Sequence, residues 1–425
     1  MLMTLSTQQA VGQGVSPVER QIADYVEAHT EEAIAFLQRI VDINSGTMNH
    51  EGVREVGRLF REELDALGFR TRWIDMPPEV NRAGHLFADR EGDRGGHVLL
   101  IGHLDTVFEE DSPFQNFTRN GWTATGPGVE DMKGGNVVML FALKALHEVG
   151  ALDGTSITVA FTGDEEMPGH PLTASRGDLI EAGRAAAVAL GFEGGVGGPN
   201  TATVARRGSS GWKLTVGGVR AHSSGIFDDT YGAGAVFEAA RILSEFYNDV
   251  RGEEYLTFNP GVVLGGTDVA YDQANTRGTA FGKTNVIAQT VVVYGGLRFI
   301  TDEQKDTARA KMRGIVAHNL PQTSAEISFS DSYPAMPPTA GNQVLFEALE
   351  QVNRDLGEGA IEQIDPGARG AADISFVAAD VDGLAGLGVF GSGGHTVDES
   401  VDLRSLPLIT ARAAILIHRL TRGDR

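Results

Sequence analysis

The sequence predicts a three-layer α/β fold into which a smaller α+β domain is inserted. Short unbroken apolar runs, such as residues 98–101, alternate with amphipathic helical stretches such as residues 51–67. This alternation is typical of a parallel sheet covered by helices. From about Ser209 the order becomes strand, helix, two strands, helix and strand, which is the ferredoxin-like arrangement. The length of 425 residues suggests two or three domains.

The N-terminal part of the chain indicates three helices. Ser16 is placed to cap a helix that has Pro17 at its first position and Glu19 three residues after the cap. A second helix begins at Thr30, and a third covers residues 51–67, with Gly68 as its expected stop. The expected strands of this domain are residues 70–74, 85–90, 98–101, 156–161, 185–190 and 384–390, and a further helix is expected over 136–149.

Several of these predicted strands end in a histidine or a carboxylate. The residues concerned are His103, Asp105, Glu165, Glu166, Glu193 and His395, and Asp131 directly precedes the helix at 136–149. Because ligands of open α/β sheets bind outside the carboxyl ends of the strands, we expect a metal site on one rim of the sheet. Taken singly, each residue is also explained as a structural strand-end histidine or a solvated loop acid.

The inserted domain is expected to cover residues 209–331, between two parts of the metal-binding domain at 1–208 and 332–425. Its expected strands are 212–216, 260–264, 285–299 and 325–329, and its expected helices are 232–250 and 301–318.

Composition excludes several classes of function. A net charge of −22 argues against a nucleic-acid partner, because phosphate binding needs a basic surface. The absence of cysteine excludes disulfides, thiolate catalysis and Cys-ligated zinc. No apolar run approaches membrane-spanning length. The first seventeen residues contain no Lys or Arg and no apolar signal core, so we expect no signal peptide and a cytoplasmic protein.

Four motifs carry a family resemblance. Residues 102–107, 128–134, 164–166 and 394–399 match, in order, the motifs of the M20 metallopeptidase family, which includes glutamate carboxypeptidase and acetylornithine deacetylase. The resemblance spans nearly the whole chain. It implies a metal-dependent hydrolase domain with an inserted lid domain, and a homodimer formed through that insert.

The resemblance also implies a set of five ligands for two divalent ions. Asp131 would bridge the ions, His103 and Glu193 would complete one, and Glu166 and His395 the other. This nitrogen and oxygen set suits zinc, with cobalt or manganese as alternatives. Two ions about 3.5–4 Å apart can share a water and lower its pKa from about 15.7 towards about 7.

Three further residues receive catalytic roles from the resemblance. Glu165 would be the general base, which takes a proton from the water and delivers it to the leaving amine. Asp105 would orient His103. His222 would reach the active site of the partner subunit and stabilise the oxyanion; the alternative is a surface histidine at the edge of the lid.

The resemblance implies substrate contacts for Arg298, Asn285 and Arg207, although each is explained equally well as an ordinary surface residue. Arg298 matches an arginine that holds a substrate carboxylate, a task suited to a guanidinium fork. The chain departs from the family pattern at three positions: Gly296 replaces an acid, Ala288 replaces a proline, and Tyr333 stands where glutamate-releasing relatives have a second arginine. Strict specificity for a C-terminal glutamate is therefore doubtful.

These observations predict a two-metal amide hydrolase that acts on an N-acyl amino acid or a short peptide with a free carboxylate. A catalytically silent relative, kept as a metal-binding regulatory protein, is the alternative from another class. A dinuclear phosphoesterase shares the metal chemistry, but the order of the ligands in the sequence argues against it.

Overall fold

A computed structural model of the protein describes residues 14–272 and 275–422. The chain divides into two compact units. Among the described residues, the first unit comprises residues 14–205, 338–368 and 372–422, and the second comprises residues 206–272, 275–337 and 369–371. Residues 1–13, which contribute to the expectation that there is no signal peptide, lie outside the described ranges. Within those ranges, none of the helices has the length and apolar character that crossing a bilayer requires.

The first unit is built on a six-stranded mixed sheet. In spatial order its strands are Arg70–Ile74, His85–Arg90, Thr155–Thr162, Arg94–His103, Val188–Gly191 and Gly383–Leu384. The first two strands run antiparallel to their neighbours, and the other four run parallel to one another. Residues 98–101 are at most 2 % exposed. Burial on both faces explains why this strand is an apolar run without alternation.

Helices pack around this sheet. The described α-helices of the first unit are Pro17–Ala28, Thr30–Val41, His50–Ala66, Lys133–Glu148, Leu172–Ala185, Ala340–Asp355 and Leu406–Leu420. Lys133–Glu148 packs against Leu406–Leu420 and is buried around most of its circumference. The predicted capping box at Ser16 is confirmed, since Ser16 and Glu19 exchange both side chain-to-backbone hydrogen bonds at 2.7 and 3.3 Å.

Smaller elements complete the first unit. A four-stranded antiparallel sheet runs in the order Gly391–Ser392, Ser400–Asp402, Thr123–Thr125 and Thr118–Asn120, and Thr201–Ala202 pairs in parallel with Glu362–Gln363. Short 3₁₀ helices occur at Pro366–Ala368, Asp373–Phe376 and Leu403–Ser405.

Two expected strands were wrong in extent. Residues 185–190 do not form one strand, because the helix Leu172–Ala185 continues through Ala185 and the strand is Val188–Gly191. Of residues 384–390, only Leu384 belongs to the six-stranded sheet. The chain turns at Gly386, whose φ of +73° is left-handed, and this ends the strand.

The second unit has a four-stranded antiparallel sheet. Its order is Thr257–Gly266, Thr290–Phe299, Gly208–Gly218 and Thr323–Asp331. The helices Gly234–Glu245, which continues as the π-helix Phe246–Val250, and Asp302–Val316 pack against it, and the hydrophobic core includes Trp212, Leu214 and Val293. The expected ferredoxin-like order is confirmed.

Two features of the second unit departed from expectation. The strand expected at 285–299 begins only at Thr290. A hairpin of Asp268–Asp272 and Arg277–Phe281 follows the strand Thr257–Gly266, and a 3₁₀ turn occupies Ser223–Gly225. This hairpin was not predicted from the sequence.

Candidate active site

The strand Arg94–His103 places its last residue at the carboxyl edge of the sheet. His103 is 1 % exposed. Its Nδ1 lies 3.0 Å from the backbone carbonyl of Asp105 and 3.4 Å from the Asp105 carboxylate. In the neutral imidazole, a proton on Nδ1 satisfies both acceptors and leaves the lone pair of Nε2 on the other side of the ring. The chief contact that orients His103 is thus the carbonyl of Asp105, with the carboxylate beside it.

Asp131 directs one carboxylate oxygen at each of two histidines. Oδ1 lies 3.3 Å from Nε2 of His103, and Oδ2 lies 3.0 Å from Nε2 of His395. The loop that carries Asp131 is held by the buried carboxylate of Glu399, which accepts the backbone N–H groups of Gly128, Glu130 and Asp131 at 3.1, 2.8 and 3.0 Å. Asp131 therefore enters the site on a loop whose backbone is fixed.

Two glutamates flank the histidines. Glu193 Oε1 lies 3.5 Å from Nε2 of His103, and Glu166 Oε2 lies 3.2 Å from Nε2 of His395. The Asp105 carboxylate accepts the backbone N–H groups of Glu165 and Glu166 at 2.9 and 3.1 Å. Asp105 thus joins the end of one central strand to the loop that follows its neighbour, Thr155–Thr162.

The other side of that loop is held by a buried ion-pair network. Asp164 accepts hydrogen bonds from the Ser175 hydroxyl at 2.7 Å and the Gly169 amide at 2.8 Å. The guanidinium of Arg176, which is fully buried, pairs with both Asp164 and Asp373. Since breaking one partner of a buried ion pair leaves an uncompensated charge, this network fixes the backbone on which Glu165 and Glu166 sit.

The packing of carboxylates and imidazoles shifts their proton affinities. Hydrogen bonds to Asp131 and Glu166 raise the pKa of His395 to about 11. Burial raises the pKa of Glu166 to about 7. Burial, with the nearby carboxylate of Glu193, raises the pKa of Glu165 well above its ordinary value. These shifts favour the protonated forms of Glu165, Glu166 and His395.

The donor set fits divalent cations. Ligand atoms of His103, Asp131 and Glu166 lie within 4.8 Å of one another, and so do those of His103, Glu165 and Glu193. Glu166 Oε1 is buried and has no hydrogen-bond partner among the described residues. A buried carboxylate oxygen without a partner is costly unless a cation completes it. Imidazole nitrogen and carboxylate oxygen are ligands that zinc, cobalt and manganese accept.

The residues that hold these loops were not predicted from the sequence. Asp164 and Glu399 lie in the family motifs at residues 164–166 and 394–399. An acidic residue in a motif that has no assigned role could have indicated a structural role for each. Asp373 carried no such signal, because its partner Arg176 is 197 residues away in the sequence.

The second unit contains the remaining candidates. His222 Nδ1 accepts the Ser224 amide at 3.2 Å, which leaves the ring proton on Nε2. Asn285 accepts the Ser223 amide at its backbone carbonyl, 2.9 Å away, and so lies beside that turn. Arg298 is exposed at the surface of this unit, but its guanidinium is partly desolvated, and this desolvation together with the neighbouring charge of Arg207 lowers its pKa. Within the second unit, the structure thus brings Asn285 to the turn that follows His222, and it brings Arg207 to Arg298.

Comparison with known proteins decides the family. The model of peptidase family M20/M25/M40 matches residues 99–419, about three quarters of the chain. The chain belongs to this family. It is a metal-dependent hydrolase of the M20 type, and the resemblance predicted from the four motifs is confirmed.

Individual relatives agree with this assignment. The M20 chain is 26 % identical over 410 residues to carboxypeptidase G2 of Pseudomonas sp. (strain RS-16), covering 93 % of this chain and 92 % of that one. It is 26 % identical over 389 residues to succinyl-diaminopimelate desuccinylase of Cupriavidus necator, covering 87 % of this chain and 94 % of that one.

Solved structures show the same fold. Aminopeptidase PepT of Bacillus cereus matches with a TM-score of 0.73 at 16 % identity, covering 92 % of this chain and 99 % of that one. The dinuclear metal-binding M20 peptidase YxeP of Bacillus subtilis matches with a TM-score of 0.64 at 16 % identity, covering 93 % and 99 %.

Proposed function

We propose that this M20 enzyme hydrolyses the amide bond of an N-acyl amino acid or short peptide with a free carboxylate, using two divalent ions. The observation that carries the proposal is the pair of contacts made by Asp131, whose two oxygens face His103 and His395 separately. A carboxylate that presents one oxygen to each of two ligand groups is suited to bridge two ions. Zinc is the proposed native metal, and cobalt and manganese suit the same donors.

Each ion would have its own ligands besides the bridge. His103 and Glu193 would complete one ion, and Glu166 and His395 the other, in keeping with the side-chain pairs at 3.5 and 3.2 Å. When bound, the ions would supply Lewis acidity that lowers the pKa of water and polarises the scissile carbonyl.

The protein's own groups would move the proton and hold the substrate. Glu165 would accept a proton from the attacking water and return it to the leaving nitrogen. Burial and neighbouring carboxylates raise the pKa of Glu165, and two bound cations would offset the charge of those carboxylates. His222, with its proton on Nε2, would donate to the oxyanion from a partner subunit.

Arg298, Arg207 and Asn285 are assigned to the substrate end. Arg298 has no acidic partner among the described residues, so its guanidinium is available to a carboxylate. Tyr333 is buried and cannot supply the second positive charge that glutamate recognition would use. We therefore propose a substrate with one carboxylate on this side and no strict requirement for glutamate. A homodimer formed through residues 209–331 and a cytoplasmic location belong to the same proposal.

The test is hydrolysis by metal-stripped protein reloaded with zinc, cobalt or manganese, on a panel of N-acyl amino acids, dipeptides and glutamyl conjugates. Metal-restored turnover of some members is expected, with Glu165→Gln inactive at the same metal content. If protein shown to hold two ions turns over no member, the silent regulatory alternative gains support.

A further inference from the structure

Glu130 lies directly before Asp131 in the sequence, and its side chain lies against two other loops. Its backbone N–H is held by Glu399, and its side chain is partly buried. The proposed function gives it no role, since it belongs to neither group of ligand atoms that lie within 4.8 Å of one another.

Three glycines lie against this one side chain. A Cβ atom built on Gly194 would fall 1.9 Å from Glu130 Oε1, and one on Gly394 would fall 3.0 Å from Oε2. A Cβ on Gly391 would fall 2.7 Å from the Glu130 Cγ. The carboxylate therefore fills space that these glycines leave open, with one oxygen towards Gly194 and the other towards Gly394.

The glycines belong to the loops that carry two proposed ligands. Gly194 follows Glu193, and Gly394 precedes His395, which adopts a left-handed φ of +64°. The His395 loop is exposed, and the side chain of His395 is 58 % accessible. The backbones of the loops meet where Gly195 donates to the Val389 carbonyl at 3.0 Å and Gly388 donates to the Glu193 carbonyl at 3.1 Å. Away from these backbone contacts, the Glu130 side chain lies between the two loops.

We infer that Glu130 is a positioning residue that sets the separation of the Glu193 and His395 loops. It would thereby set the positions of Glu193 and His395, each of which is a proposed ligand of one ion. This rests on the proposed function for its metal site, and it adds a residue that binds no ion. Groups that orient metal ligands typically change affinity by about 10- to 100-fold when removed. Glu130 is expected to fall in this range because it contacts both loops at once.

Three substitutions separate the effect of the shape of the Glu130 side chain from the effect of its charge. Glu130→Ala removes both, and Glu130→Gln keeps the shape and removes the charge. Gly194→Ala leaves the charge in place, and its methyl group would displace the end of the Glu130 side chain. Glu27→Gln, on an exposed position of the helix Pro17–Ala28, is the control for loss of one negative charge.

The measurements are zinc affinity of the metal-stripped full chain, by competition with a chromophoric chelator, and amide hydrogen exchange without metal. We expect Glu130→Ala and Gly194→Ala to weaken zinc binding by about tenfold or more. Exchange should be faster over residues 193–198 and 391–399 in both. Glu130→Gln should keep the exchange pattern of the unmodified protein, and Glu27→Gln should match that protein in both measurements.

Unchanged zinc affinity and unchanged exchange in Glu130→Ala and Gly194→Ala would overturn the inference. If the unmodified protein bound no zinc, cobalt or manganese, the proposed function itself would fail, which is a different result. Should Glu130→Ala fail to fold, Gly194→Ala still decides, because it leaves Glu130 intact.

Discussion

A buried ion pair at the N-terminal helix should make the free energy of unfolding depend on pH over a defined acidic range. Glu19 is 2 % exposed, and its Oε1 lies 2.7 Å from Arg419 Nε and 2.8 Å from Arg422 Nη2. Burial opposes ionisation of Glu19, but the bonds to Arg419 and Ser16 outweigh it and lower the pKa from 4.5 to about 2. The pair joins the helix Pro17–Ala28 to the end of the helix Leu406–Leu420.

The magnitude follows from linkage. A fall in pKa from 4.5 to about 2 corresponds to at most about 3.4 kcal/mol, at about 1.36 kcal/mol per unit. The arginine side chains are 24 % and 36 % exposed, so solvent screening reduces this to about 2 kcal/mol. Because the folded pKa is depressed, the contribution is fully present above pH 4.5 and is lost as the pH falls from 4.5 towards about 2.

The assay is urea unfolding of Glu19→Gln and the unmodified protein, followed by circular dichroism with a chelator in all samples. The difference in free energy of unfolding should be about 2 kcal/mol at pH 7 and 5.5, and should shrink at pH 3.5. Glu27→Gln, an exposed substitution on the same helix, should show almost no difference at any pH. A difference for Glu19→Gln that stays constant from pH 7 to pH 3.5 would refute the reasoning.

Three further predictions concern the site. Glu165→Gln should lower kcat by about 10²- to 10⁴-fold with zinc content unchanged, as measured by steady-state kinetics and metal analysis; retained activity would remove Glu165 from the mechanism. Arg298→Ala should raise KM more than it lowers kcat, and the effect should vanish on substrates whose carboxylate is amidated; equal losses on both substrates would contradict carboxylate binding. Glu399→Ala should destabilise the protein by about 3 kcal/mol or more, because three backbone donors lose their acceptor; an unchanged unfolding curve would show that water replaces the carboxylate.

Local pattern was sufficient where short-range physics sets the structure. The capping box at Ser16, the helix that begins at Pro17 and the buried central strand depend on side-chain types a few residues apart. The ferredoxin-like order of the second unit followed from alternating strands and amphipathic helices. By contrast, residues 384–390 are as apolar as a buried strand, yet Gly386 turns the chain after Leu384. An apolar run indicates that a segment is buried, and both a strand and an irregular segment can be buried.

Residue types and their spacing were enough to predict the family, the order of the candidate ligands and the residue types available to the site. How these residues are held depends on contacts that form only in the folded chain. Glu399 fixes the Asp131 loop from 268 residues away, Arg176 and Asp373 hold the Glu165 loop from opposite parts of the chain, and Glu130 faces glycines of two other loops. The reason is physical: periodicity reports which side of an element is buried, whereas hydrogen bonds between distant loops depend on where the folded backbone brings them.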